Sequence, residues 1–97
     1  MKTIHLILRY RWFDMIASGE KIEDYREIKP YYKRLCDLGK GDIVIFHRGY
    51  SSRVLIVNVT YCYQSSYGLR EWGWERDEPH WVIGIEVLGG LYSEAYY

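Results

Sequence analysis

Residues 53–63, RVLIVNVTYCY, are the longest β-branched and aromatic run in the chain, and a run of that kind belongs in the middle of a sheet. The other segments have to be arranged around it. DIVIFHR, 42–48, alternates apolar with polar residues after the turn LGKGD, and RGYSSR turns from it into the central run. TIHLILR, 3–9, sets Ile4, Leu6 and Leu8 on one face as a first strand, and HWVIGIEVLGG, 80–90, supplies a last one. Two helical signals interrupt the strands. Trp12, Phe13 and Ile16 fall on one face of a helix over 12–17 that Gly19 ends, and Pro30 opens a helical turn to about Leu38. Ninety-seven residues support one core. The expected architecture is α+β and mainly β: a small, partly closed β-barrel of about five strands with two short helices, as one domain over 1–97.

One extended stretch breaks the pattern. In GEKIEDYREIKPYYKR, 19–34, only Ile22, Tyr25 and Ile28 are available to bury, while Lys21, Asp24 and Arg26 put charge into the same few residues. The pleat sets Ile22, Asp24, Arg26 and Ile28 on one face and Lys21, Glu23, Tyr25 and Glu27 on the other. Asp24 and Arg26 therefore pair with each other or with a ligand, and Lys21 joins them only through a bulge or the bend at the strand's entry. A solvated, salt-bridged edge strand is the plain alternative to a functional cleft.

Charge counts argue against a protein that binds nucleic acid by bulk electrostatics, because 13 Lys and Arg meet 13 Asp and Glu. The distribution is uneven: residues 1–53 hold 11 basic against 7 acidic side chains, and 54–97 hold 2 against 6. Cys36 and Cys62 form no C-x-x-C pair and are expected as buried, reduced thiols; His5, His47 and His80 have no ligand spacing, so no metal or cofactor is expected. The apolar run Ile4–Leu8, interrupted by His5, is too short for a signal-peptide core or a membrane span, which points to a cytoplasmic protein with no membrane partner.

LILRYRWFDMIASGEKIEDYR followed by GDIVIFHRG resembles the ASCH domain, a small β-barrel of the PUA-like superfamily. The resemblance covers roughly the first half of the chain and rests on order: a strand, an aromatic-rich short helix, the G-x-K-x-x-x-x-R segment of Gly19, Lys21 and Arg26, then a G-D-x-V-x-F strand. It implies a cleft beside the barrel, lined by Lys21, Asp24 and Arg26, that binds RNA, a nucleoside or a nucleotide. It implies, as an alternative, a small amidohydrolase acting on N(4)-acetylcytidine-like nucleosides. There Lys21 would be base or nucleophile, Arg26 would hold the oxyanion, and a glutamate before the final strand would shuttle the proton. Asp24 stands where those enzymes carry threonine, and a carboxylate beside Lys21 favours its ammonium form. Binding is therefore the leading expectation.

Other segments extend the candidate site. Lys29, Lys33 and Arg34 interleave with Tyr31 and Tyr32, a mixture that suits single-stranded nucleic acid or forms a plain amphipathic turn. Arg48 and Arg53 flank the next turn and could extend that patch. The segment QSSYGLREWGWERDEP, 64–79, lacks periodicity, and its Trp72 and Trp74 suit a lid that stacks on a flat ligand or a clasp over the barrel end. An acid for Lys21 would come from Glu71, Glu75 or Glu78, with Glu75 taken as the candidate; Glu86 faces either Arg26 or solvent. A third reading is a protein-interaction domain that uses the Tyr-rich tail, 91–97, and exposed Trp residues.

Overall fold

A computed structural model of the chain describes residues 1–74 and 77–92. Five strands, β1 (Thr3–Leu8), β2 (Glu23–Glu27), β3 (Ile43–Arg48), β4 (Arg53–Ser65) and β5 (His80–Tyr92), form one sheet in the order β1-β3-β4-β5-β2. β1 and β3 run parallel and every other pair antiparallel. The long apolar run is indeed the middle strand. The sheet curls into a half-barrel, so the architecture is mainly β with one helix and 3-10 turns.

Helix α1 (Tyr10–Ala17) buries Phe13 and Ile16, one turn apart, against the concave face. Gly19, at φ +86°, takes the left-handed conformation just past its end, and its N–H bonds the Ile16 carbonyl. The core is built from alternate residues: Ile4, Leu6 and Leu8 on β1, Val44 and Phe46 on β3, Leu55, Val57 and Val59 on β4. Leu35 and Leu38 close it from the connection to β3. That connection contains no second α-helix. Pro30–Asp37 is 3-10, broken at Tyr32 (φ −99°, ψ 18°), because two turns of this length cannot repay α-helix nucleation. Cys62 is half-buried rather than buried, 3.8 Å from the Leu35 carbonyl, and the Cys36 side chain lies outside what the structure describes. The tail beyond Tyr92 and residues 75–76 likewise lie outside the described residues. Among the described residues no helix is long and apolar enough to cross a membrane.

β2 meets the sheet through β5, and one cross-strand row fixes how. Tyr61 on β4, Gly84 on β5 and Glu23 on β2 are neighbours in register, and the β4 register shifts between Val59 and Tyr61. The Tyr61 ring lies over Gly84, where a Cβ would collide with it and with Thr60, and its hydroxyl donates to Glu23 Oε2. Glycine here is space for a ring that ties the middle strand to the edge strand. Gly84→Ala is expected to lower stability by about 1–3 kcal/mol, the cost of overpacking, read as a reduced urea midpoint with an unchanged m-value.

Candidate functional site

The stretch through β2 buries charge and exposes the isoleucines on either side of the strand, the reverse of the expected pattern. Ile22 is 53% and Ile28 44% exposed, whereas Lys21 and Asp24 are each 2% exposed. The reason is local. Lys21 lies before the strand begins, where its backbone N–H bonds the Met15 carbonyl at the end of α1, and this entry bend turns its side chain to the Asp24 side. Ile22 then falls outside the curled sheet, and its carbonyl accepts from the Ile85 N–H.

Three charges converge. Arg26 Nε donates to Asp24 Oδ2 at 2.7 Å, and Lys21 Nζ stands 3.7 Å from Asp24 Oδ1, an ion-pair distance. Arg26 also donates Nη2 to the Ile7 carbonyl at 3.0 Å and Nη1 to the Tyr32 hydroxyl at 3.3 Å. Three of the five N–H donors of its guanidinium are thus committed, leaving two for a ligand. Two rings flank Lys21, with Nζ 5.4 Å from the centre of Trp12 and 5.5 Å from that of Tyr25.

Two cations share one carboxylate, so this buried cluster carries one excess positive charge. Burial is the largest influence on Lys21 and lowers its pKa, with Asp24 opposing and Arg26 reinforcing the shift. Burial also opposes the charge on Arg26, but Asp24 and Tyr32 outweigh it and raise its pKa. Tyr25 is pushed up to about 12, first by burial; its hydroxyl donates to Glu23 Oε1 at 2.9 Å and accepts from the Leu69 N–H at 3.2 Å.

Arg26 and Ile7 line two recesses beside the cluster, Asp24 lines one of them, and Lys21 lies behind both. A pocket of about 210 Å3 lies against Trp12, Asp24 and Tyr25. A groove of about 560 Å3 lies beyond Arg26, walled by Tyr31, Tyr32, Tyr50 and the histidines His5 and His47.

The remaining candidates are scattered. Tyr31 is 73% exposed in the groove, while Lys29 pairs with Glu27 at 3.2 Å in solvent and Lys33 is exposed. The side chain of Arg34 lies outside what the structure describes. Arg48 is drawn away from the patch: Nε and Nη2 each bond Asp14 at 2.9 Å, and its guanidinium covers the Tyr10 ring. That bond is the main reason the Asp14 pKa is lowered. Arg53 is exposed, with its guanidinium carbon 5.7 Å from the centre of the Phe13 ring.

Trp74 does not roof the cleft. It is buried and stacked on His80, with ring centres 4.0 Å apart and 22° between planes, in space that Gly68 leaves by lacking a Cβ. Trp72 is half-buried on the 3-10 turn Arg70–Trp72, and the loop reaches the site instead through Gly73. A Cβ at Gly73 would sit 2.9 Å from Trp12 Cζ2, so the backbone lies directly on the ring that flanks Lys21. Glu71, Glu78 and Glu86 are exposed, and Glu75 lies outside the described residues. Trp12 and Tyr25 were visible in the sequence only as packing residues; the wall they form depends on the Lys21 bend, which no spacing reveals.

No family model matches the sequence, and no curated protein matches it significantly. Among the described residues no three His, Cys, Asp or Glu side chains gather as metal ligands.

Asp24 decides the stability of the cluster. Asp24→Ala is expected to cost about 3–5 kcal/mol by leaving two buried cations without their carboxylate, whereas Lys21→Met, which removes the surplus charge at similar volume, is expected to be neutral or stabilising. Parallel urea titrations of the two variants check this.

Proposed function

We propose that the chain is an RNA- or nucleotide-binding module of the ASCH type in the PUA-like superfamily, with its ligand held at Lys21, Asp24 and Arg26. The observation that carries the reading is the buried Lys21–Asp24–Arg26 cluster, from which Arg26 reaches two recesses and Asp24 one of them. Lys21 and the two uncommitted N–H donors of Arg26 meet phosphate or base acceptors, and Asp24 accepts from a base amino group. The groove volume of about 560 Å3 falls in the range of small-ligand sites. Its exposed tyrosine gives a base a face on which to stack, worth about 1–3 kcal/mol.

Zero net charge does not oppose this reading, because the ligand is met by a local cluster rather than by a field. It does fix the salt dependence. With one or two phosphates contacted, log K should fall against log salt with a slope of about −0.7 per phosphate, far shallower than for a basic nucleic-acid binder. Titration of a short single-stranded RNA followed by Trp fluorescence tests it: wild type binds with that shallow slope, and Lys21→Met weakens binding at least about tenfold while staying folded. Absence of binding at low salt to any RNA or nucleotide tried removes the proposal.

One observation favours the amidohydrolase reading as a second choice. Burial pushes Lys21 toward its neutral amine, the form a base or nucleophile needs. Chromatography of N(4)-acetylcytidine incubated with the protein should then show cytidine, lost in Lys21→Met. Equal product from that variant would eliminate Lys21 from the chemistry.

A further inference from the structure

His5 on β1 and His47 on β3 lie diagonally across the parallel pair, since His5 is opposite Ile45 and Ile7 opposite His47. Both side chains leave the sheet on the face away from the core and meet in the groove, with His5 Nδ1 2.9 Å from His47 Nε2 and ring centres 5.1 Å apart. Such a bond requires one ring to donate N–H and the other to offer its lone pair. One added proton makes the donor ring an imidazolium: it strengthens the bond between the rings, and its second nitrogen changes from acceptor to donor.

The groove suits that change. Among the described residues, the titratable and charged groups lining it with the pair are Arg26 from β2, Tyr31 and Tyr32 from the 3-10 segment and Tyr50 from the β3–β4 turn. An anion entering here meets Arg26, whose Nε is held by Asp24, on one side and the histidine pair on the other. Tyr31 and Tyr50 are 73% and 95% exposed, so flat faces are open beside it. Burial, then the neighbouring His5, lowers the His47 pKa, which favours the neutral ring until a proton or an anion arrives. An anion that favours the protonated pair takes up a proton as it binds, and its affinity therefore rises as pH falls.

We propose that the His5–His47 pair is a proton-gated phosphodiester subsite, which holds the backbone of the nucleotide adjoining the one at Lys21 while Tyr31 stacks on its base. The proposal rests on the RNA-binding reading and adds to it a second subsite and a pH dependence.

Hexauridylate without terminal phosphates is the probe, because neither its diesters nor its bases titrate in the range that matters; uridine is the control without phosphate. Calorimetric titrations at about pH 5.5 and about pH 8 should show hexauridylate binding about tenfold tighter in acid, with uridine unchanged. His47→Gln should erase the pH dependence, so that the variant binds hexauridylate equally at the two pH values. Tyr31→Ala, with an unchanged urea midpoint confirming that it folds, should weaken hexauridylate and not uridine. Equal affinity at the two pH values, or the same pH dependence in His47→Gln, overturns the subsite. If hexauridylate still binds and Lys21→Met abolishes that binding, the RNA-binding reading survives such a result. No binding of hexauridylate by wild type at either pH overturns both.

Discussion

The half-barrel depends on one guanidinium. A five-strand sheet in the order β1-β3-β4-β5-β2 has two edges, and no ladder joins β1 to β2. Unpaired edges are open to foreign strands and to water. Arg26 closes this one by reaching from β2 to the Ile7 carbonyl on β1, with Asp24 holding it in place from behind. A hydrogen bond between strands would have sealed the seam without leaving a recess. A long charged side chain bridges it instead and keeps a gap on either side, so the residues that close the barrel are also those that shape the candidate site.

The high aromatic content follows from the same arrangement. At 18% of the sequence there are more rings than a core of this size uses, and several of the others carry polar contacts beside β2. Trp12 and Tyr25 flank Lys21, Tyr32 bonds Arg26, and Tyr61 crosses Gly84 to Glu23. Each ring supplies apolar surface on its face and, for the tyrosines, a hydroxyl at its tip. That combination can exclude water from charged groups and still satisfy hydrogen bonds. Tyr25 shows it: its hydroxyl sits between the Glu23 carboxylate and the Leu69 amide, which pins the loop ahead of Trp74 to the edge strand.

The strands, the helix and the central place of residues 53–63 were legible because burial on one face leaves a period in the sequence. Residues 19–34 were legible as an exception, since charge stood where apolar residues belong. How the exception resolves was not. Pleat parity separates Lys21 from Asp24, and only a backbone bond to the Met15 carbonyl, set by the end of α1, brings them together. Trp74 read as a loop tryptophan available to a ligand, but its partner His80 lies six residues on, across a turn whose path the sequence does not specify. The His5–His47 pair was invisible for a related reason. Each histidine is unremarkable in its own strand, and their meeting depends on the register of a parallel pairing between strands far apart in the chain.

A protein with balanced charge that holds a buried cation surplus cannot draw a ligand from far off, because the field of two basic groups is screened within about 10 Å at moderate salt. Whatever recognition it achieves is made at contact, by groups fixed beforehand. Arg26 is fixed by three acceptors and Lys21 by two rings and a carboxylate, so little side-chain entropy remains to be lost when a ligand arrives. The desolvation of Lys21 has likewise been met already by the folded protein. Selectivity at such a site follows from shape and donor placement rather than from the strength of attraction.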